Sequence, residues 1–282
     1  MSKILISALE LQSLLHEPNV VVFDVRHDLM NPRLGRQQYM QAHIPGAYFL
    51  DNEAELVGQT TGINGRHPLP NLEDLAHLLL QYQVNSETRI VVYDASQGHM
   101  AARTWWLLRW AGCTQVMLLD GGWQAWLEAG GVTDTHVALP EVLAKHQDLQ
   151  VTPQQPTVTA EQIAAQLKQP CYTLIDARSH ERFIGAKEPI DPVAGHIPGA
   201  LNRPTTENLQ ANGLFKAPEQ LRAEFNTLLK DTNIESVVCY CGSGITACHN
   251  LFALELAGLS GAKLYPGSWS EWIADPARPR VP

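Results

Sequence analysis

The pentapeptide His-Ile-Pro-Gly-Ala occurs twice in this chain, at residues 43–47 and again at residues 196–200. A second stretch repeats with nearly the same offset: VVFDVR at residues 21–26 corresponds to TLIDAR at residues 173–178. Both copies of this second stretch end in an Asp-x-Arg triplet that follows a run rich in β-branched residues. Two matches in the same order indicate an internal repeat.

Two further pairs extend this repeat towards the end of each half. IVVYD at residues 90–94 aligns with VVCYC at residues 237–241, and LDGGWQAW at residues 119–126 aligns with YPGSWSEW. The offset stays near roughly 150 residues, far longer than the repeat of a solenoid protein. The pattern therefore indicates one domain present in two copies.

Each copy alternates short apolar runs with helical stretches, which predicts α/β domains with a mainly parallel sheet and helices on both faces. We place the first domain at residues 1–133 and the second at residues 157–282. Residues 134–156 show no clear period and contain several prolines, so we interpret them as a linker.

Composition limits the classes of function. The 282 residues include 20 Lys and Arg against 29 Asp and Glu, for a net charge of −9, which argues against a broad nucleic-acid surface. Five cysteines are too few for a disulfide scaffold, and no segment approaches the ~20 apolar residues of a membrane span. We expect a soluble cytoplasmic protein with no membrane or nucleic-acid partner.

The two copies differ at one matched strand end, where the first has Asp94 and the second has Cys241. Cys241 is followed by a glycine-containing loop and then by a predicted helix. Backbone N–H groups in such a loop can converge on an anion, and the helix N-terminus adds positive potential. A cysteine there is expected to react as its thiolate. The alternative is a buried structural cysteine. The loop residues are Gly242, Ser243, Gly244, Ile245, Thr246 and Ala247.

These motifs together resemble the tandem-domain sulfurtransferases of the rhodanese family, over nearly the whole chain. The resemblance implies two rhodanese-like domains, of which the first is catalytically inactive and the second carries the nucleophile Cys241. It implies transfer of a sulfane sulfur through a cysteine persulfide to cyanide, a thiol or a thioredoxin-like protein, with no metal or organic cofactor. A non-enzymatic rhodanese-like binding or sensor module is a further alternative, although Cys241 argues against it.

Within that family, the loop CGSGITA is similar to the loop of the mercaptopyruvate type. The thiosulfate type usually carries Arg-Lys where this chain has Gly242 and Ser243. Thiosulfate is a compact dianion that favours cations beside the reacting sulfur, whereas mercaptopyruvate is a monocarboxylate whose charge lies further away. The neutral loop favours mercaptopyruvate as donor, and thiosulfate is the alternative.

The resemblance also implies a pair of arginines that bind the substrate carboxylate. Arg182, in an Arg-Phe dipeptide, matches one of them. The other is expected after a Glu-Pro, but Ile190 occupies that position. We expect Lys187 or Arg66 to replace it.

A catalytic relay of Asp, His and Ser is implied as well. His67 lies in an HPLP segment that resembles the family's His-x-Leu-Pro, and Ser243 lies in the loop. Glu53 would take the place of the family's Asp. A histidine oriented by a carboxylate can move protons during cleavage of the C–S bond.

Residues shared by both copies are expected to have structural roles, because only one copy carries the thiol. Arg26 and Arg178 are expected to pair with nearby Asp residues, and His43 and His196 to anchor turns or the core.

Overall fold

The computed structural model describes residues 3–140, 152–167 and 171–281. The chain divides into two compact units, one formed by Met1–Gly58 and Pro70–Gln154, the other by Gln59–Leu69 and Gln155–Pro282. Segment 59–69, which carries His67, thus belongs to the second unit. The expected linker at 134–156 lies partly outside the described residues, and the domain boundaries stay a prediction.

The first unit contains a five-stranded sheet in which every strand pair is parallel, in the order β1-β5-β4-β2-β3. Helices lie between successive strands along the chain, as parallel connections require. The elements are β1 (Leu5–Ile6), α1 (Ala8–Leu14), β2 (Val20–Asp24), α2 (Leu34–Gln41), β3 (Tyr48–Phe49), α3 (Leu72–Gln81), β4 (Arg89–Tyr93), α4 (His99–Trp110), β5 (Val116–Leu119) and α5 (Gly122–Glu128).

The second unit contains a four-stranded parallel sheet in the order β7-β6-β8-β9. Two short 3₁₀ turns, Thr205–Asn208 and Ile234–Ser236, accompany its helices. The elements are α6 (Ala160–Gln166), β6 (Thr173–Asp176), α7 (His180–Phe183), β7 (Leu201–Asn202), α8 (Pro218–Leu229), β8 (Val237–Tyr240), α9 (Ala247–Leu256), β9 (Lys263–Leu264) and α10 (Ser268–Trp272).

The two sheets share one topology. A parallel bridge from Thr157 to Leu264 lies beside β9, where β1 lies beside β5 in the first unit. The strand order is therefore the same in both units, with one edge strand reduced to a single bridge. The duplication and the parallel α/β class predicted from the sequence are confirmed.

Each unit has a buried Asp–Arg pair at the end of an interior strand, β2 in the first unit and β6 in the second. Arg26 donates to Asp24 at 2.6 Å, and Arg178 donates to Asp176 at the same distance, with both pairs buried. Nη2 of each arginine makes this bond and also donates at 2.7 Å to the carbonyl of the residue just before the His-Ile-Pro-Gly-Ala segment, Ala42 in the first unit and Gly195 in the second. The predicted structural role of both arginines is confirmed.

The repeated histidines anchor the turn that follows. In His43, Nδ1 lies 2.6 Å from the carbonyl oxygen of Tyr39, whose ring stacks on the imidazole. In His196, Nδ1 lies 2.8 Å from the carbonyl oxygen of Phe183, again with stacked rings. Their predicted anchoring role is confirmed.

No helix in the described ranges is long and apolar enough to cross a membrane. Helix α9 is short, and its residues from Ala247 to Leu254 are buried. Since α9 follows β8 directly across the glycine-containing loop, the fold places that loop between the end of a central strand and a helix N-terminus.

At the matched position of the first unit, Asp94 fills the corresponding loop with its own carboxylate. Its Oδ1 accepts N–H bonds from Ser96 at 3.0 Å and Gly98 at 2.9 Å. Its Oδ2 accepts bonds from the Ser96 hydroxyl at 3.0 Å and the N–H groups of Met100 at 2.8 Å and Ala101 at 3.0 Å. The N–H groups of this loop therefore donate to the carboxylate of Asp94, a residue of the same loop.

Replacement of Asp94 with Ala should destabilise the first unit by about 4 kcal/mol, because several buried N–H groups would lose their acceptor. The change would be measured as the free energy of unfolding in urea. Asp74→Ala is the matched control: this exposed residue lies in the first turn of α3, and its loss should cost less than about 1 kcal/mol. Equal effects of the two substitutions would contradict the role assigned to Asp94.

Candidate active site

Cys241 follows the last residue of β8, and the loop bends back over its sulfur. The Gly244 N–H group donates to Sγ at 3.1 Å, while the Cys241 N–H group donates to the Ser268 hydroxyl at 3.1 Å. Cys241 is only 1% exposed. The predicted nucleophile thus has a backbone donor directed at its sulfur.

Residues around the start of α10 hold this loop in place. The Trp269 N–H group donates to the Cys241 carbonyl at 3.0 Å, and the Ser270 N–H group donates to the Gly242 carbonyl at 2.9 Å. Gly244 has φ of +86°, and a Cβ there would lie 2.2 Å from the Pro266 carbonyl oxygen. Only glycine fits this position, because both the backbone conformation and the space exclude a side chain.

Two guanidinium groups lie beside Gly242. A Cβ on this glycine would be 3.0 Å from Nη2 of Arg66 and 3.4 Å from Nη2 of Arg182. Both arginines belong to the second unit. An arginine at position 242, as in the thiosulfate type, would crowd a third cation against these two. Any side chain at position 242 would therefore contact the two guanidinium groups, and a cationic one would also be repelled by them.

Carboxylates organise these arginines into a network. Arg182 donates through Nε to Glu188 at 3.0 and 3.1 Å and through Nη2 to Asp191 at 2.9 Å. Asp191 also accepts from Nη1 of Arg66. Glu188 in turn lies 3.3 Å from Nη1 of Arg178. The Asp–Arg pair at the end of β6 is thus connected to the loop through alternating charges.

The network shifts the pKa values of two of its members, Glu188 and Arg178. Burial alone would raise the pKa of Glu188, but hydrogen bonds from Arg182 and from the backbone N–H groups of Asp191 and Ile190 outweigh it and lower the pKa. Burial alone would lower the pKa of Arg178, but Asp176 and Glu188 raise it above its usual range. These groups therefore stay charged at neutral pH.

His67 and Ser243, expected to act together, are in contact within the second unit. Nδ1 of His67 lies 2.7 Å from Oγ of Ser243, and both residues are buried. Ser243 lies two residues after Cys241, so this pair adjoins the nucleophile. The contact is present, and its part in proton transfer stays a prediction.

The other two candidates have different surroundings. Glu53 lies in the first unit, where its carboxylate is 3.4 Å from Nε2 of His27. Lys187 is exposed and its backbone N–H group donates to the Glu181 carbonyl. Of the two cations considered as the second substrate-binding group, Arg66 is the one placed beside Gly242. The roles of Glu53 and Lys187 stay predictions.

The two carboxylates that orient the arginines were not anticipated from the sequence. Glu188 and Asp191 flank Ile190, the position where an arginine was expected. The motif at this position calls for a cation, and nothing in the local sequence distinguishes these two acids from solvated ones. Within the described residues, no group of three or more His, Cys, Asp or Glu side chains could hold a metal ion.

Replacement of Glu188 with Gln should lower the stability of the second unit by about 3 kcal/mol at pH 7, the cost of unpairing a buried ion. The folded-state pKa of Glu188 is lowered from 4.5, so its contribution is fully present above pH 4.5 and is lost as pH falls through the folded-state value. The difference in free energy of unfolding between wild type and variant should therefore shrink at acid pH. The exposed Glu181→Gln is the matched control, and a difference independent of pH would contradict the assignment.

Comparison with known proteins places this geometry in a family. The Rhodanese-like domain matches residues 7–129 and 159–275. A Pseudomonas aeruginosa protein named as a probable 3-mercaptopyruvate sulfurtransferase is 46% identical over 279 residues, or 98% of this chain and 96% of the relative. A thiosulfate sulfurtransferase of Mus musculus is 31% identical over 261 residues, or 91% and 86% of the two chains. The structure of a 3-mercaptopyruvate sulfurtransferase from Leishmania major superposes with a TM-score of 0.83 at 29% identity, covering 96% of this chain and 74% of that one. The chain belongs to the rhodanese family and contains two rhodanese-like domains in tandem.

Proposed function

We propose that this chain is a sulfurtransferase that takes a sulfane sulfur from 3-mercaptopyruvate and carries it as a persulfide on Cys241. The observation that carries the proposal is the position of Cys241: its sulfur accepts the Gly244 N–H bond at the start of an uncharged loop. Arg66 and Arg182 lie beside the next residue of that loop. A nucleophile and a binding site for a carboxylate are therefore adjacent.

In the first half-reaction, the Cys241 thiolate attacks the sulfur of the donor. A new S–S bond forms and the C–S bond of mercaptopyruvate breaks, with its electron pair passing to carbon as the enolate of pyruvate. The proton of the donor thiol is transferred to that carbon. The products are pyruvate and an anionic persulfide, which loop N–H groups stabilise.

His67 and Ser243 carry this proton. The 2.7 Å contact between imidazole and hydroxyl allows a proton to pass between them beside the nucleophile. Such a relay is useful for mercaptopyruvate, whose cleavage creates a basic carbon. Thiosulfate leaves as sulfite and needs no proton on carbon.

In the second half-reaction, an acceptor attacks the outer sulfur, the S–S bond breaks and the Cys241 thiolate is restored. Cyanide would leave as thiocyanate, and a thiol or a thioredoxin-like protein would leave as its persulfide. All five cysteines of the chain are unpaired thiols, which supports a reducing compartment such as the cytoplasm.

Mercaptopyruvate is favoured over thiosulfate because the loop next to Cys241 carries no charge of its own. Gly242 stands where the thiosulfate type has arginine, and the space that a side chain would need is bordered by two guanidinium groups. These groups can bind a carboxylate through paired N–H bonds. Thiosulfate is the alternative donor.

Treatment of the wild type with mercaptopyruvate should add the mass of one sulfur atom, and Cys241→Ser should abolish both this addition and turnover. Mass spectrometry of the intact protein and pyruvate release measure the two effects. The kcat/KM value for mercaptopyruvate should exceed that for thiosulfate at least about tenfold.

Cys239→Ser is the matched control, since this buried thiol lies two residues away on β8 and should not be required for sulfur uptake. Equal sulfur uptake by wild type and Cys241→Ser would show that the nucleophile is wrong. If no donor produces a persulfide, the alternative of a non-enzymatic binding module is correct.

Replacement of Arg66 with Met should raise the KM for mercaptopyruvate about 10- to 100-fold, because a hydrogen bond to a charged group is worth about 1.5–3 kcal/mol. The kcat value should change much less, since the carboxylate is bound equally before and during the reaction. Steady-state kinetics measure both constants. Lys187→Met is the control and should change KM less than about twofold; the opposite result would exchange the roles of the two cations.

A further inference from the structure

Asp191 connects the two arginines beside the nucleophile. One of its oxygens accepts from Nη1 of Arg66, and the other accepts from Nη2 of Arg182 at 2.9 Å. Its carboxylate is almost entirely buried, with 1% of the side chain exposed. Two guanidinium groups this close to one another repel, and a shared buried carboxylate between them offsets the repulsion.

The charges of the whole network cancel. It contains the guanidinium groups of Arg66, Arg178 and Arg182, and the carboxylates of Asp176, Glu188 and Asp191. With the Cys241 thiolate present, a bound monoanion therefore leaves two negative charges for the loop N–H groups and the α9 N-terminus to stabilise. A bound dianion leaves three, and excess charge in a buried site is costly.

We propose that Asp191 is a positioning and specificity-determining residue, which fixes the spacing of the Arg66–Arg182 pair and makes the site selective for monoanionic donors over dianionic ones. This inference rests on the proposed function, because it concerns the donor that reaches Cys241. It predicts that selectivity follows the charge of the network and not only the presence of two arginines.

Asp191→Asn tests this directly, because the substitution keeps the size of the side chain and adds one net positive charge. The ratio of kcat/KM for thiosulfate to kcat/KM for mercaptopyruvate should rise at least about tenfold. A merely structural role would lower both values together and leave the ratio unchanged, which would overturn the proposal. Asp231→Asn, at an exposed position after α8, is the matched control and should leave the ratio unchanged.

A charge-compensated variant keeps the test valid if Asp191→Asn fails to fold. Arg66→Gln removes one positive charge, and Arg66→Gln combined with Asp191→Asn restores a neutral network. The ratio in the double variant should exceed that in Arg66→Gln at least about tenfold. Equal ratios in these two proteins would overturn the proposal.

Anion binding separates this inference from the proposed function. In Cys241→Ser, the affinities for pyruvate, a monocarboxylate, and for thiosulfate, a dianion, are measured by isothermal titration calorimetry. Adding Asp191→Asn should shift their ratio at least about tenfold towards thiosulfate. If wild type forms no persulfide with either donor, the proposed function fails, and this shift still decides the role of Asp191. If persulfide forms but the shift is absent, the role of Asp191 fails alone.

Discussion

The site depends on a line of alternating buried charges that runs from the end of β6 to the loop of Cys241. Asp176 pairs with Arg178, Arg178 lies near Glu188, and Glu188 holds Arg182. Each ion is stabilised by neighbours of opposite sign, and removal of one member leaves its partner buried and unpaired. Such a network fixes side-chain positions that packing alone would leave to flexible rotamers, and it holds the guanidinium groups of Arg66 and Arg182 beside Gly242.

Much of the fold could be predicted from the sequence, because the duplication repeats each critical motif. The Asp-x-Arg triplet and the His-Ile-Pro-Gly-Ala segment predict the same strand end and the same turn in both copies. The structure shows the same ion pair and the same stacked histidine in both units. Cys241 is predicted as the nucleophile by the opposite signal, since it is the position where the two copies differ in chemistry. A repeat therefore works as an internal comparison that separates structural residues from reactive ones.

The carboxylates around Arg182 could not be predicted in the same way. Asp191 and Glu188 lie in a segment with no counterpart motif in the first copy, and acidic residues in a loop are usually solvated. Only the three-dimensional arrangement shows that they are buried between guanidinium groups. The same holds for Arg66, whose closeness to Gly242 joins positions widely separated in the sequence. Contacts of this kind depend on the path of the chain and leave no local pattern.

The carboxylate of Asp94 limits which residues the first unit can accept at this position. A loop whose amides converge on one point is stable only when something negative accepts their hydrogen bonds. A small neutral residue at position 94 would leave those amides without an acceptor and weaken the fold. Asp94 meets this requirement with a carboxylate, a group that cannot form a persulfide. The loop of the first unit therefore keeps its conformation without a thiol, because an acidic side chain supplies the acceptor.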